Sequence, residues 1–323
     1  TDTLDGATNN VAVTIGGALT GAGAFSAGSG TVDIEGNLTV DSFTASSTQT
    51  NLAGGTITFT TLTANGGLMI FDGTSGQTVT GGSENLGNVQ ISNTAATVTL
   101  VGTATVGSVT IDDGATLSLG DGTSGATVTT DVASGSDDLL VTADGGGGGA
   151  ALLFNAGGGA VTLNMANGSE LQNNSLVQVA DDTNGVTLVE NSGGGQFVYN
   201  GVDIDYNGQG VTLSRIDYRQ AMSLDVSGEQ VTLSDAVTAD SLSIASGATF
   251  DVDDQSLTLD TAGLTVNGTF ADSTASGSAA ASVAGNVYVD GAATYATTID
   301  LTMTGGGTTL DAAVQIGALT VDT

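Results

Sequence analysis

Short stretches of alternating apolar and polar residues recur along the whole chain, each closed by a turn-forming pair. Examples are Val11–Ile15, Thr56–Thr60, Thr97–Val101, Ser108–Ile111, Thr116–Leu119 and Ser256–Leu259, with turns at Asp72-Gly73, Asp113-Gly114, Asn184-Gly185, Asn200-Gly201 and Asn267-Gly268. Glycine accepts a positive φ without cost and Asn or Asp tolerates one, so these pairs punctuate strands. The triplet Val-Thr-Leu begins at Val161, Val186 and Val211, 25 residues apart each time, and occurs off that register at Val98 and Val231. The nonapeptide Asp-Gly-Thr-Ser-Gly-x-Thr-Val-Thr begins at Asp72 and again at Asp121, 49 residues later and close to twice that period. Many short strands with a repeat in the twenties match one coil of a solenoid. The sequence therefore predicts an all-β chain, a parallel β-solenoid (β-helix) with about 25 residues per coil, forming an elongated rod. Val161, Val186 and Val211 should stand in one inward column. Residues 1–323 read as a single continuous solenoid, with an irregularity or loop allowed near 145–160, where the glycine runs Gly145–Gly149 and Gly157–Gly159 break the pattern.

Composition agrees. There is no Pro, which cannot donate to a strand ladder, and the β-branched residues Thr and Val fit a pleated surface. Hydrophobic residues make up 39% and charged residues only 11%, which argues for a narrow core and against disorder of the whole chain.

The side chains that run most protein chemistry are missing. The chain has no His, Cys or Lys, and its only cations are Arg215 and Arg219, set against 34 Asp plus Glu for a formal net charge of -32. Without an imidazole base, a thiol or an amine, most covalent, acid–base and soft-metal mechanisms are closed, and the chain is not expected to be an enzyme. A charge this negative repels nucleic acid and anionic lipid, and it calls for salt or divalent cations to screen self-repulsion. No run of about 18 apolar residues is present, so membrane insertion by a helix is not expected. The opening Thr1-Asp2-Thr3 carries no initiator Met and no leader, and reads as the start of a processed product or of an excerpt from a longer chain.

The stretches Gly36–Val40, Ser108–Leu119 and Asp240–Val252 resemble the repeats of large bacterial surface proteins: autotransporter passenger regions and filamentous-haemagglutinin-like adhesins. The resemblance lies in texture, covers most of the chain and carries no diagnostic motif. It implies a secreted, extracellular or cell-surface protein with a structural or adhesive role, and it brings no catalytic residues. Glycans or other cell-surface components are the external partners it suggests. Both ends of the chain keep the repeat texture, as in Ile316–Thr323, so head-to-tail self-association into a filament is expected.

Three groups of residues are candidate sites. Acidic turns offer oxygen ligands for a hard cation such as Ca²⁺. The metal-ligand candidates are Asp181, Asp182 and Asn184 in one turn, and Asp251, Asp253 and Asp254 in another. Solvated turn carboxylates are the plainer reading, and the segment ending at Gly185 fails the EF-hand pattern. Phe197, Tyr199, Tyr206 and Tyr218 gather near Asp203, Asp205, Arg215 and Arg219, the one chemically diverse patch. Paired carboxylates there would suit a β-helical carbohydrate-active enzyme, although the chain has no Trp to stack on sugars and surface Arg–Asp pairing accounts for the patch more simply. Thr-x-Thr strings, such as Thr56–Thr58, Thr78–Thr80, Thr103–Thr105 and Thr127–Thr129, would form a flat hydroxyl face of the kind that binds ice or glycan, though strand preference for Thr explains most of them.

Overall fold

In the computed structural model every regular element among the described residues is a strand, and the strand pairings are parallel. The structure describes all residues except 1, 2, 8, 9, 131–138, 143–148, 166–169, 174, 175, 182, 183, 185, 191–195, 200–203, 207–210, 215–220, 225–229, 234, 235, 275–278, 291, 297, 306, 311–318, 322 and 323; of some other strand residues, among them Asp181, Phe197, Tyr199, Tyr206 and Val211, it describes the backbone alone. The strands form an 18-stranded, a nine-stranded and an eight-stranded sheet. The chain winds between them as a β-solenoid. Ser108–Ile111 lies in the nine-stranded sheet and Thr116–Leu119 and Ala126–Thr130 in the 18-stranded one, after which Leu139–Val141 returns to the nine-stranded sheet. Each coil thus has three sides. Toward the C-terminal part the eight-stranded sheet supplies the remaining sides: Val237–Ile244 runs between Gln230–Leu233 and Thr249–Asp251, both in the 18-stranded sheet.

Parallel stacking at about 4.8 Å places each residue on its counterpart one coil away, so apolar positions line up as inward columns. One column reads Val13, Val32, Thr50, Met69, Val89, Val109, Leu139 and Leu171. A second reads Ala126, Val161, Val186, Val211, Val231, Phe250, Phe270 and Tyr295. The expected column of valines is therefore present, with Val161 and Val186 fully buried. Aromatic residues stack along the same direction. The rings of Phe25 and Phe43 lie 5.2 Å apart and nearly parallel, and Phe270 meets Phe250 at 6.0 Å and Tyr295 edge-on at 5.1 Å. Such pairs add about 0.5–1.5 kcal/mol beyond the area they bury.

The repeat length differs from the expected 25 residues. Successive coils are roughly 20 residues apart, and the 25-residue steps between Val161, Val186 and Val211 are a local stretch of wider coils. Just before them the step grows to 35 residues, where Asn164 donates to Thr129 across neighbouring coils. Val231, off register at a 25-residue period, follows Val211 in the same column, whereas Val98 belongs to a neighbouring column and pairs with Gln77 and Leu117. The 49-residue match also has a geometric explanation. Asp72 turns the chain from the nine-stranded into the 18-stranded sheet, while Asp121 turns it between two sides of the 18-stranded sheet. The spacing is two coils plus one side. Across the region of expected irregularity the ladder continues, since Ala151–Phe154 pairs with Thr116–Leu119 and Val161–Asn164 with Ala126–Thr129; residues 143–148 lie outside the described residues.

Corners are held by side chains that reach the neighbouring coil. Asn37 Oδ1 accepts from the Thr56 amide at 3.0 Å, Asn10 Oδ1 from the Ser29 amide at 3.1 Å and Asn286 Oδ1 from the Gly307 amide at 2.8 Å. These amides lie outside the regular strand ladder or at a strand's start, and each takes an Asn side chain as its acceptor. Gly54 allows one of the closest approaches, because a Cβ there would overlap the carbonyl of Gly36 on the coil below. One polar group that enters the core is fully engaged. Buried Gln77 donates to the carbonyls of Leu52 and Gly54 and accepts from the Gly73 amide and from Asn93, and Asn93 Oδ1 in turn accepts from the amides of Ala95 and Ala96.

The columns give a direct stability test. Val186→Asp places a carboxylate between Val161 and Val211 and is expected to cost ~3 kcal/mol or more. Thr187→Asp, one residue on and facing outward, should cost under about 1 kcal/mol. Urea unfolding of the two variants checks the register, and equal losses would show that it is wrong.

Candidate functional site

The turn after the strand Thr249–Asp251 gathers most of the acidic candidates. Asp251 is 5% exposed, and its Oδ1 accepts from the Asp253 amide at 3.1 Å and from the Ser273 amide of the next coil at 3.0 Å. Asp253 and Asp254 take left-handed φ values of 45° and 62°, and the Gln255 amide closes the turn on the Val252 carbonyl at 2.8 Å. The Asp254 amide donates to Asp272 Oδ1 at 3.0 Å, and the hydroxyls of Ser273 and Thr274 donate to Asp253 Oδ1. The structure thus brings Asp251, Asp253 and Asp254 into one corner. Oxygens of Asp251 and Asp253 accept from the next coil, and the Asp254 amide donates to it.

Of the second acidic group, Asn184 alone has a described side chain. The side chain of Asp181 and all of Asp182 lie outside the described residues. Asn184 points its amide nitrogen at the carbonyls of Ala156 and Gly157, 2.8 Å from each, and so acts as another coil-to-coil fastener. Among the described residues no group of three or more His, Cys, Asp or Glu is arranged to hold a metal ion. Of the aromatic and arginine patch, Asp203, Arg215, Tyr218 and Arg219 are outside the described residues; Phe197 and Tyr199 share a strand of the nine-stranded sheet, and Asp205 and Tyr206 share one of the 18-stranded sheet.

The twin nonapeptides show how position decides chemistry. Asp121 is exposed, and its Oδ1 accepts from the Thr123 hydroxyl and amide, both at 2.7 Å, and from the Ser124 amide at 2.6 Å. These donors hold its carboxyl below the usual carboxylate range, the Thr123 hydroxyl most of all. Asp72 occupies the same place in the motif but has an oxygen buried without a hydrogen-bond partner. Burial, followed by the carboxylates of Asp33 and Glu35, pushes its pKa up. A motif repeated in sequence thus gives two electrostatic environments because it sits on two different corners.

Threonines do align into columns. Thr103, Thr127, Thr162, Thr187, Thr212 and Thr232 are successive partners in the 18-stranded sheet, and Thr20, Thr39, Thr58 and Thr80 form a shorter column. A cavity of about 20 Å³ is lined by apolar side chains alone, among them Phe71, Val79, Leu86, Leu117 and Leu152. With no polar group to orient a guest, such a void stays dry.

Acidic residues follow one rule that no motif had signalled. Within the described strand pairings no acidic residue stands opposite another. Asp33 lies between Thr14 and Asn51, Asp251 between Thr232 and Ala271, Glu84 faces Ala104 and Asp300 faces Ala280. Like charges stacked directly would be destabilising, and the sequence avoids the arrangement. The comparisons with known protein families, curated proteins and solved structures returned no match.

Asp72 gives a pH-dependent prediction. Because its folded pKa is raised, the cost of ionising it is fully present above that pKa and fades as pH falls through it. Asp72→Asn should therefore raise the melting temperature at pH 7. The gain should vanish near pH 3, below the ordinary aspartate value of about 3.9, where the wild-type carboxyl is protonated folded or unfolded. Calorimetry at the two pH values makes the check.

Proposed function

We propose that this protein is an extracellular structural rod, the shaft of a fibre, filament, sheath or adhesin, in which solenoid units stack head to tail. The observation that carries the reading is the stack of parallel coils among the described residues, with an apolar interior and threonine, serine and asparagine outside. A rod of this kind supplies length and stiffness, and its chemistry is confined to hydrogen bonding and charge. The resemblance to surface-protein repeats supports an exported location. In this reading a coil of another copy stacks on Leu4, which is exposed and continues the inward column of Phe43 and Phe25. Light scattering and electron microscopy of the purified chain should show rods that lengthen with concentration, and Leu4→Asp should suppress the growth. A wild-type chain that remains a monodisperse monomer at high concentration would contradict stacking.

The column of six threonines favours a second reading, a face that binds ice or an ordered glycan. It predicts thermal hysteresis, or retention on an insoluble polysaccharide, that Thr162→Lys abolishes without lowering the melting temperature. Wild-type protein with neither property would remove this reading while leaving the structural one intact.

A further inference from the structure

We draw no further inference here: the strongest candidate, the acidic corner of Asp251, Asp253, Asp254 and Asp272 on neighbouring coils, is a cluster in which carboxylate oxygens accept hydrogen bonds from the adjoining turn and coil, and no second observation points to a ligand there.

Discussion

The backbone hydrogen bond between successive coils is the interaction on which everything else in this molecule depends. Parallel pairing at about 4.8 Å leaves each residue no choice of neighbour along the rod: it stands on its counterpart in the coil below and under its counterpart in the coil above. The rule rewards repetition where side chains attract and penalises it where they repel. Val161 on Val186 on Val211, or Phe25 on Phe43, extends a column at no cost in shape. The same rule explains the corners, where the ladder must bend. There Asn37 and Asn286 offer a side-chain carbonyl as acceptor, and Gly54 removes the one atom that would keep two coils apart.

Charge shows the other side of the constraint. With 34 acidic residues and two cations, the chain has almost nothing with which to neutralise a carboxylate locally. Screening alone would be an expensive answer if carboxylates were stacked. Instead Asp33 faces Thr14 and Asn51, and Asp251 is flanked by Thr232 and Ala271 while its oxygen is bonded by two amides. At the Asp251 turn, carboxylate oxygens accept from the turn itself and from the adjoining coil. A carboxylate at a corner does the work that Asn does elsewhere, accepting from the amide of an adjoining coil. Asp72 shows the cost of a buried carboxylate oxygen left unbonded, and its pKa is raised.

The fold class was legible in the sequence because alternation, turn pairs and the absence of proline all report local properties. The ladder column through Val161, Val186 and Val211 was legible for the same reason, as identical triplets occupy identical places. The period was not. Turn lengths vary from coil to coil, so Val231 follows Val211 after a shorter step, and the Asp72 and Asp121 motifs turn different corners. Repetition in sequence records local shape, and it fixes the coil length only when the copies lie on the same side of the rod. The corner fasteners were harder still to see. Asn10, Asn37 and Asn184 look like ordinary turn residues, and nothing in their immediate neighbours says that their amides reach another coil. Residues of the aromatic and arginine patch were recognisable as chemically diverse, but a composition signal of that kind does not say which side chains meet.

The claim that the ladder governs where charge can stand is open to one direct measurement. Asn51 is the ladder partner of Asp33 in the nine-stranded sheet and accepts from Gln49 at 2.8 Å. Asn51→Asp and Asn51→Lys both remove the native amide, so the difference between them isolates the charge opposite Asp33. Denaturant unfolding at low ionic strength should find the Lys variant more stable than the Asp variant by about 0.4–2 kcal/mol, twice the scale of a single cross-strand charge pair, and the gap should shrink in 1 M salt, where the Debye length falls to about 3 Å. Equal stabilities at low salt, or a gap that salt leaves unchanged, would contradict the register and the account of the fold built on it.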